Sequence, residues 1–277
     1  MAHFIVGARL HDYGQGTPDE LFSKVALDGF ETVQLAYRKC VPGVNAYTDI
    51  TPALVQATLQ AGKAHNIQVA VLGTYVELAL DNEAERLQNA VDFKSQLAVC
   101  QALGAGCIGT ETTNMALQPA GTTRDKAQYL LCKSLEMLLP EAERLGVTIG
   151  IEPVSYHSMN TPEATRHILD TMQSPALKVI FDAGNLLTAD QVDKQVSLWD
   201  RVGELLGDRI VAVHFKGEAF DADGKPRSTS LEDSVIDFDS VFRMLRQLPQ
   251  TLPVLREEAS PARAAADIAL MRRHFVG

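Results

Sequence analysis

The stretch Val147–Leu187 reads VTIGIEPVSYHSMNTPEATRHILDTMQSPALKVIFDAGNLL. Two apolar runs, Val147–Ile151 and Val179–Phe181, each end in a carboxylate, Glu152 and Asp182. Between them Thr161-Pro162 opens a helix-like segment. The order is strand, crossover helix, strand, with an acid at the C-terminal end of each strand. An acid placed straight after a β-branched run is costly to bury unless a cation or a hydrogen-bond donor meets it. Two of them in successive units point to a shared partner, and a divalent metal ion is the simplest one.

The same plan extends in both directions. Short apolar runs at Ile5–Leu10, Thr32–Tyr37, Ile67–Gly73, Cys107–Thr110, Ile210–Phe215 and Val254–Arg256 read as further strands. Helical spacing separates them, as in Glu83–Leu103, with apolar residues at 87, 90, 91, 97 and 98. Ser/Thr-Pro pairs at 17–18, 51–52, 161–162 and 260–261 mark helix starts, the first with a capping box through Glu20. Pro140 falls inside the helix Asp125–Leu145 and predicts a kink or restart there. The segment Ala189–Leu206 reads as one helix, and Ser240–Leu248 as another. Between them the polar stretch Gly217–Asp237 follows the seventh strand and predicts a partly mobile loop over the site. The strand runs lack strict alternation, as buried parallel strands do. Eight βα units in 277 residues predict a single-domain (β/α)8 TIM barrel spanning 1–277. An open doubly wound sheet is the runner-up, weakened because no glycine-rich fingerprint follows the first strand.

Composition narrows the partners. The chain is 46% apolar and carries a net charge of −10. That balance, without a Lys/Arg cluster, argues against nucleic acid and anionic membranes. No apolar run approaches the roughly 20 residues of a membrane span. The start MAHFIVGARL does not read as a signal peptide. Cys40, Cys100, Cys107 and Cys132 include no CxxC pair, so reduced, mostly buried thiols in a cytoplasmic protein are expected.

In such a barrel the C-terminal strand ends form the active face. The polar residues ending strands five to eight are Glu152, Asp182, His214 and the pair Glu257/Glu258. Any one alone reads more readily as a helix cap or surface ion pair. Four of these types on consecutive strands form an oxygen-rich set suited to Mn²⁺ or Mg²⁺, with Co²⁺ or Zn²⁺ next. Lys216 shares a strand face with His214 and reads either as a contact to substrate oxygen or phosphate, or as a salt bridge to Glu218 or Asp182. Glu111 ends strand four and faces the same mouth, as a substrate contact or a structural ion pair. His157 reads as a substrate contact or an exposed loop histidine. Arg9, His11 and Tyr37 are rim candidates, and Trp199 reads as packing.

The motifs GIEP, VIFDAGNL, VHFKG and PVLREEA resemble those of the xylose-isomerase-like barrel superfamily of sugar phosphate isomerases and epimerases. That group includes ketose 3-epimerases, hydroxypyruvate isomerase, inosose dehydratase and endonuclease IV. The resemblance runs from Ile5 to Phe275. It implies Glu152, Asp182, His214 and Glu257 as metal ligands, with Glu258 as the adjacent alternative to Glu257. It also implies Glu152 and Glu257 as an acid/base pair, and homodimers or homotetramers as common assemblies. Asn185 stands where ketose 3-epimerases and endonuclease IV usually carry histidine, and is a candidate substrate contact. GEAF follows the strand-seven motif where the epimerases tend to have arginine, and 217–240 lacks the histidine that endonuclease IV carries there.

The expectation is a metal-dependent isomerase or epimerase of a small sugar, polyol or sugar phosphate. It would work by proton abstraction beside a carbonyl, through an enediolate. An inosose-dehydratase-type lyase with the same metal site and a non-catalytic sugar-binding barrel are the alternatives.

Overall fold

The computed structural model describes residues 3–276. Eight parallel strands close into a barrel: β1 (His3–Arg9), β2 (Thr32–Leu35), β3 (Gln68–Gly73), β4 (Cys107–Glu111), β5 (Ile149–Glu152), β6 (Leu177–Asp182), β7 (Ile210–Phe215) and β10 (Thr251–Arg256). Closure comes from β1 beside β10, paired from His3↔Thr251 to Ala8↔Arg256. This excludes the open doubly wound sheet. Ten helices accompany the strands among the described residues: α1 (Pro18–Leu27), α2 (Tyr37–Cys40), α3 (Pro52–His65), α4 (Glu83–Leu103), α5 (Arg124–Leu145), α6 (Pro162–Met172), α7 (Ala183–Leu186), α8 (Gln195–Leu206), α9 (Phe238–Leu245) and α10 (Ala264–Val276).

The helix starts have local causes. Thr17, Thr51 and Thr161 each accept a backbone N–H with the side chain, ahead of a proline at the first helical position. The fourth Ser/Thr-Pro pair behaves differently. Ser260 forms a turn through its carbonyl, and α10 begins only at Ala264. Nor does Pro140 restart α5, which runs through it. Leu138, Leu139 and Ala142 are buried on both sides of the proline and pin that stretch to the barrel. The expected helix Ala189–Leu206 divides into a 3₁₀ segment, Ala189–Lys194, and α8.

The polar stretch Gly217–Asp237 is not a structureless loop. It carries an antiparallel hairpin of β8 (Gly217–Phe220) and β9 (Pro226–Thr229), whose inner residues Glu218 and Ala219 are buried.

Two apolar layers hold the barrel. Inside it pack Ala70, Val71, Cys107, Ile180, Ala212 and Leu255. Ile180 fills that narrow interior because Gly109 beside it has no side chain. A Cβ there would lie 2.5 Å from the Ile180 Cδ1. Outside, helices cover the strands, as where Trp199 of α8 meets the Phe181 edge of β6 at 5.8 Å between ring centres. The four cysteines are free, and three are buried. Among the described residues no helix is long and apolar enough to cross a membrane.

Candidate metal centre

Four neighbouring strands, β5, β6, β7 and β10, deliver Glu152, Asp182, His214 and Glu257 to one side of the barrel mouth. The register places Asp182 directly beside His214. One donor atom each from Glu152, Asp182 and His214 fall within 4.8 Å of one another, and all three side chains are buried. Glu257 lies outside that group of three but against it, with Oε1 3.3 Å from His214 Nδ1. Glu152 Oε2 is 3.0 Å from the same nitrogen.

The free valences suit a cation. Asp182 caps α7 with one oxygen only: Oδ1 accepts from the Gly184 and Asn185 backbones at 2.7 and 3.1 Å. Its buried Oδ2 has no hydrogen-bond partner, and neither ring nitrogen of His214 has one. The close approach of Nδ1 to the carboxylates is charge pairing without hydrogen-bond alignment. A buried carboxylate oxygen and a buried imidazole nitrogen left without partners are costly unless something positive sits between them. Protons and neighbouring side chains now supply that charge. Burial disfavours the His214 cation, yet Glu152 and Glu257 outweigh it and push His214 up to about 9. Lys216 Nζ, 3.5 Å from Asp182 Oδ2, is held charged by Asp182 and Glu257 against burial. Asp182 itself is raised by burial. A metal ion would displace the His214 proton, as imidazole binds metals only when neutral.

Neighbours orient the carboxylates. Asn185 Nδ2 donates to Glu152 Oε1 at 2.6 Å. Lys216 donates in turn to Asn185 Oδ1. Arg9 NH1 reaches Glu257 Oε1 at 3.2 Å while bonding Asp12 with its other nitrogens. Glu258 turns away. Its φ of 58° bends the chain out of β10, and its carboxylate accepts from Ser228 of β9. The structure thus separates the adjacent pair, with Glu257 at the cluster and Glu258 clasping the hairpin.

The other sequence candidates sort by contact. Lys216 makes salt-bridge contacts with both expected acids, Asp182 and, at 3.8 Å, Glu218. Glu111 pairs in register with Glu152 at the mouth. Burial, then Glu152 and Glu257, push it up to about 7. His157 is not an exposed loop histidine. It is 5% exposed, with Nε2 3.9 Å from Glu111. A bridge between Asn114 and His157 folds its loop inward. Tyr37 does not line the rim: it is buried and its hydroxyl meets Thr58 at 2.8 Å. His11 is lowered to about 4 by burial and by Arg9. Two residues at the mouth escaped sequence reasoning. Tyr75 follows β3 and donates no pattern beyond its position at a strand end. Lys39 sits on the single turn α2 with Nζ 3.4 Å from the Tyr75 ring centre. The strand-end rule that found Glu111 would have found Tyr75.

The chain belongs to the xylose isomerase-like TIM-barrel family, whose model matches residues 22–274. Among its curated relatives, 3-oxo-isoapionate decarboxylase of Pectobacterium atrosepticum is 27% identical over 198 residues, 69% of this chain and 66% of that protein. L-ribulose-5-phosphate 3-epimerase UlaE of Escherichia coli O157:H7 is 27% identical over 209 residues, 74% of this chain and 68% of that protein. The chain therefore matches about two thirds of these relatives' own length. A xylose isomerase-like TIM-barrel protein from Mycobacterium smegmatis, solved in complex with magnesium, superposes with a TM-score of 0.70 at 15% identity, over 98% of this chain and 96% of that one.

Proposed function

We propose that the protein is a divalent-metal-dependent isomerase or epimerase of a small sugar or sugar phosphate. The observation that carries this is the group of Glu152, Asp182 and His214 donor atoms within 4.8 Å, with Asp182 Oδ2 and the His214 nitrogens unpartnered. Glu152, Asp182, His214 and Glu257 would hold the ion; the oxygen-rich set favours Mn²⁺ or Mg²⁺, then Co²⁺ or Zn²⁺. Such an ion supplies fixed positive charge where negative charge develops on the substrate oxygens.

The chain's own groups do the rest. Glu152 and Glu257 arrive from β5 and β10, on either side of the two strands that carry Asp182 and His214. One takes the proton beside the carbonyl and the other returns a proton to carbon. Asn185 and Arg9 each hold one carboxylate oxygen and so orient Glu152 and Glu257. Lys216, His157, Glu111 and Asn185 would contact substrate hydroxyls, and the Gly217–Asp237 segment would cover them. The epimerase relative supports proton transfer at carbon, and the decarboxylase relative supports the same build-up of charge beside a carbonyl.

The test is incubation of the Mn²⁺-loaded protein with ketoses, ketose phosphates and inososes in D2O, followed by NMR. Deuterium at the carbon beside the carbonyl, with an epimer or isomer appearing, is the expected result. An ultraviolet-absorbing product would assign a dehydratase instead. Ligand binding without exchange across the panel would leave a non-catalytic sugar-binding barrel.

A further inference from the structure

A second feature of the mouth lies on the side of β2 and β3, away from the four clustered strand ends. A cavity of about 390 Å³ opens there, walled chiefly by Arg38, Lys39, Asn45, Tyr47 and Tyr75. Its two cations are held by aromatic rings rather than by acids. Lys39 Nζ lies 3.4 Å from the centre of the Tyr75 ring. The Arg38 guanidinium lies 4.8 Å from the centre of the Tyr47 ring, and its Nε donates to the Asn45 carbonyl at 2.9 Å. Neither joins an ion pair among the described residues, although acids outnumber bases 35 to 25 in this chain. The other cations of the mouth, Arg9 and Lys216, are both matched to carboxylates.

Tyr75 connects the cavity to the acidic cluster. One face of its ring carries Lys39, and its hydroxyl accepts from Gln34 Nε2 at 2.8 Å. Its phenol is raised by burial and next by Glu257. Lys39 and Arg38 are both exposed, so the cationic wall of the cavity is open to an incoming ligand. Gln34, which holds the Tyr75 hydroxyl, stands in register with Arg9, and Arg9 reaches Glu257, so the cavity and the cluster open on the same mouth. A neutral molecule bound across both ends would leave two cations uncompensated at its far end. An anionic molecule would complement them through charge-assisted hydrogen bonds.

We infer that this cavity is an anion subsite, in which Lys39 and Arg38 take the charged end group of an acidic sugar, a phosphate ester or a carboxylate, whose carbonyl end lies between Glu152 and Glu257. The placement of the carbonyl end rests on the isomerase reading; the preference for charge does not.

Calorimetric titration of the full chain, with and without Mn²⁺, separates the two. The probes are D-ribulose 5-phosphate, D-gluconate and neutral D-ribulose. At least one anion should bind about tenfold or more tightly than D-ribulose at low salt, with the gap closing as salt is added. The tighter anion names the group, phosphate ester or carboxylate. Lys39→Gln and Arg38→Gln should each weaken the anion about fivefold or more and leave D-ribulose and Mn²⁺ unchanged. Equal binding of anions and D-ribulose would overturn the subsite, as would wild-type anion affinity in both variants. Deuterium exchange into neutral ketoses without any charge preference would remove the subsite and keep the isomerase. Anion binding that needs Lys39, with no exchange into any sugar, would do the reverse.

Discussion

Asn185 shows how one side chain can hold a cluster of charged groups in place. It donates to Glu152, accepts from Lys216, and receives the Ser155 N–H on its carbonyl at 2.8 Å. Asn185→Ala removes the contact that orients Glu152 while leaving the barrel core intact. The expected result is a loss of about 10–100-fold in metal affinity or exchange rate, the usual range for such supporting contacts, with thermal stability unchanged. Unaltered metal titration and exchange would show that Glu152 needs no support. His157 makes a stability prediction with a definite sign. Burial, ahead of any opposing contact, lowers it to about 4 from the ordinary 6.5. Below pH 6.5 the unfolded chain takes a proton that the folded chain refuses until about pH 4. Stability is therefore full above pH 6.5 and falls through that window, by roughly 3 kcal/mol at most. Urea unfolding of wild type and His157→Gln at pH 7 and pH 4.5 should show the slope in the first and less of it in the second. The acids Glu152 and Asp182 were legible because a carboxylate ending an apolar strand is conspicuous in any sequence. The burial of His157 was not, because it depends on a bridge to Asn114, 43 positions away in the chain.

At the scale of the element, the hairpin of β8 and β9 is the least legible part of the fold. GEAF and PRST show no alternation, and only their pairing makes them strands. Gly217 is the position on which that pairing turns. A Cβ there would stand 2.3 Å from the Thr229 carbonyl oxygen and 2.4 Å from that of Ser230, both backbone atoms that cannot swing aside. Gly217→Ala should prise β9 from β8 and break the clasp between Ser228 and Glu258. Limited proteolysis should then cut the tip around 221–225 several-fold faster, with the barrel's melting temperature falling by only a few degrees. Equal cutting of wild type and variant would show that the hairpin is not held down by this contact. The helices were far more legible, since apolar spacing and threonine caps are local. Glu83–Leu103 and Pro162–Met172 lie where the pattern places them. The late start of α10 was hidden because Ser260 caps through its backbone, which no residue type announces.

For the whole molecule, a cation bound at the rim would tie four strands together and should register as global stability. At a metal concentration of one hundred times Kd, mass action contributes about 2.7 kcal/mol. In a domain of this size that raises Tm by roughly 5 °C. Mn²⁺ added in a thermal scan should produce this shift, EDTA should reverse it, and the double variant Asp182→Asn, His214→Ala should lack it. A wild-type curve blind to Mn²⁺ and Mg²⁺ would remove the ion from the account. Eight βα units were readable along the chain, but whether they close was decided by contacts between its most distant strands, β1 and β10. Glu257 follows directly on β10, the same strand that shuts the ring. A ribosome therefore releases Glu152, Asp182 and His214 well before their fourth companion, and β1 waits with one bare edge until β10 docks. Closure of the ring and completion of the four-residue cluster become a single event, so a chain that has not yet docked β10 has neither a sealed barrel nor all four side chains in place.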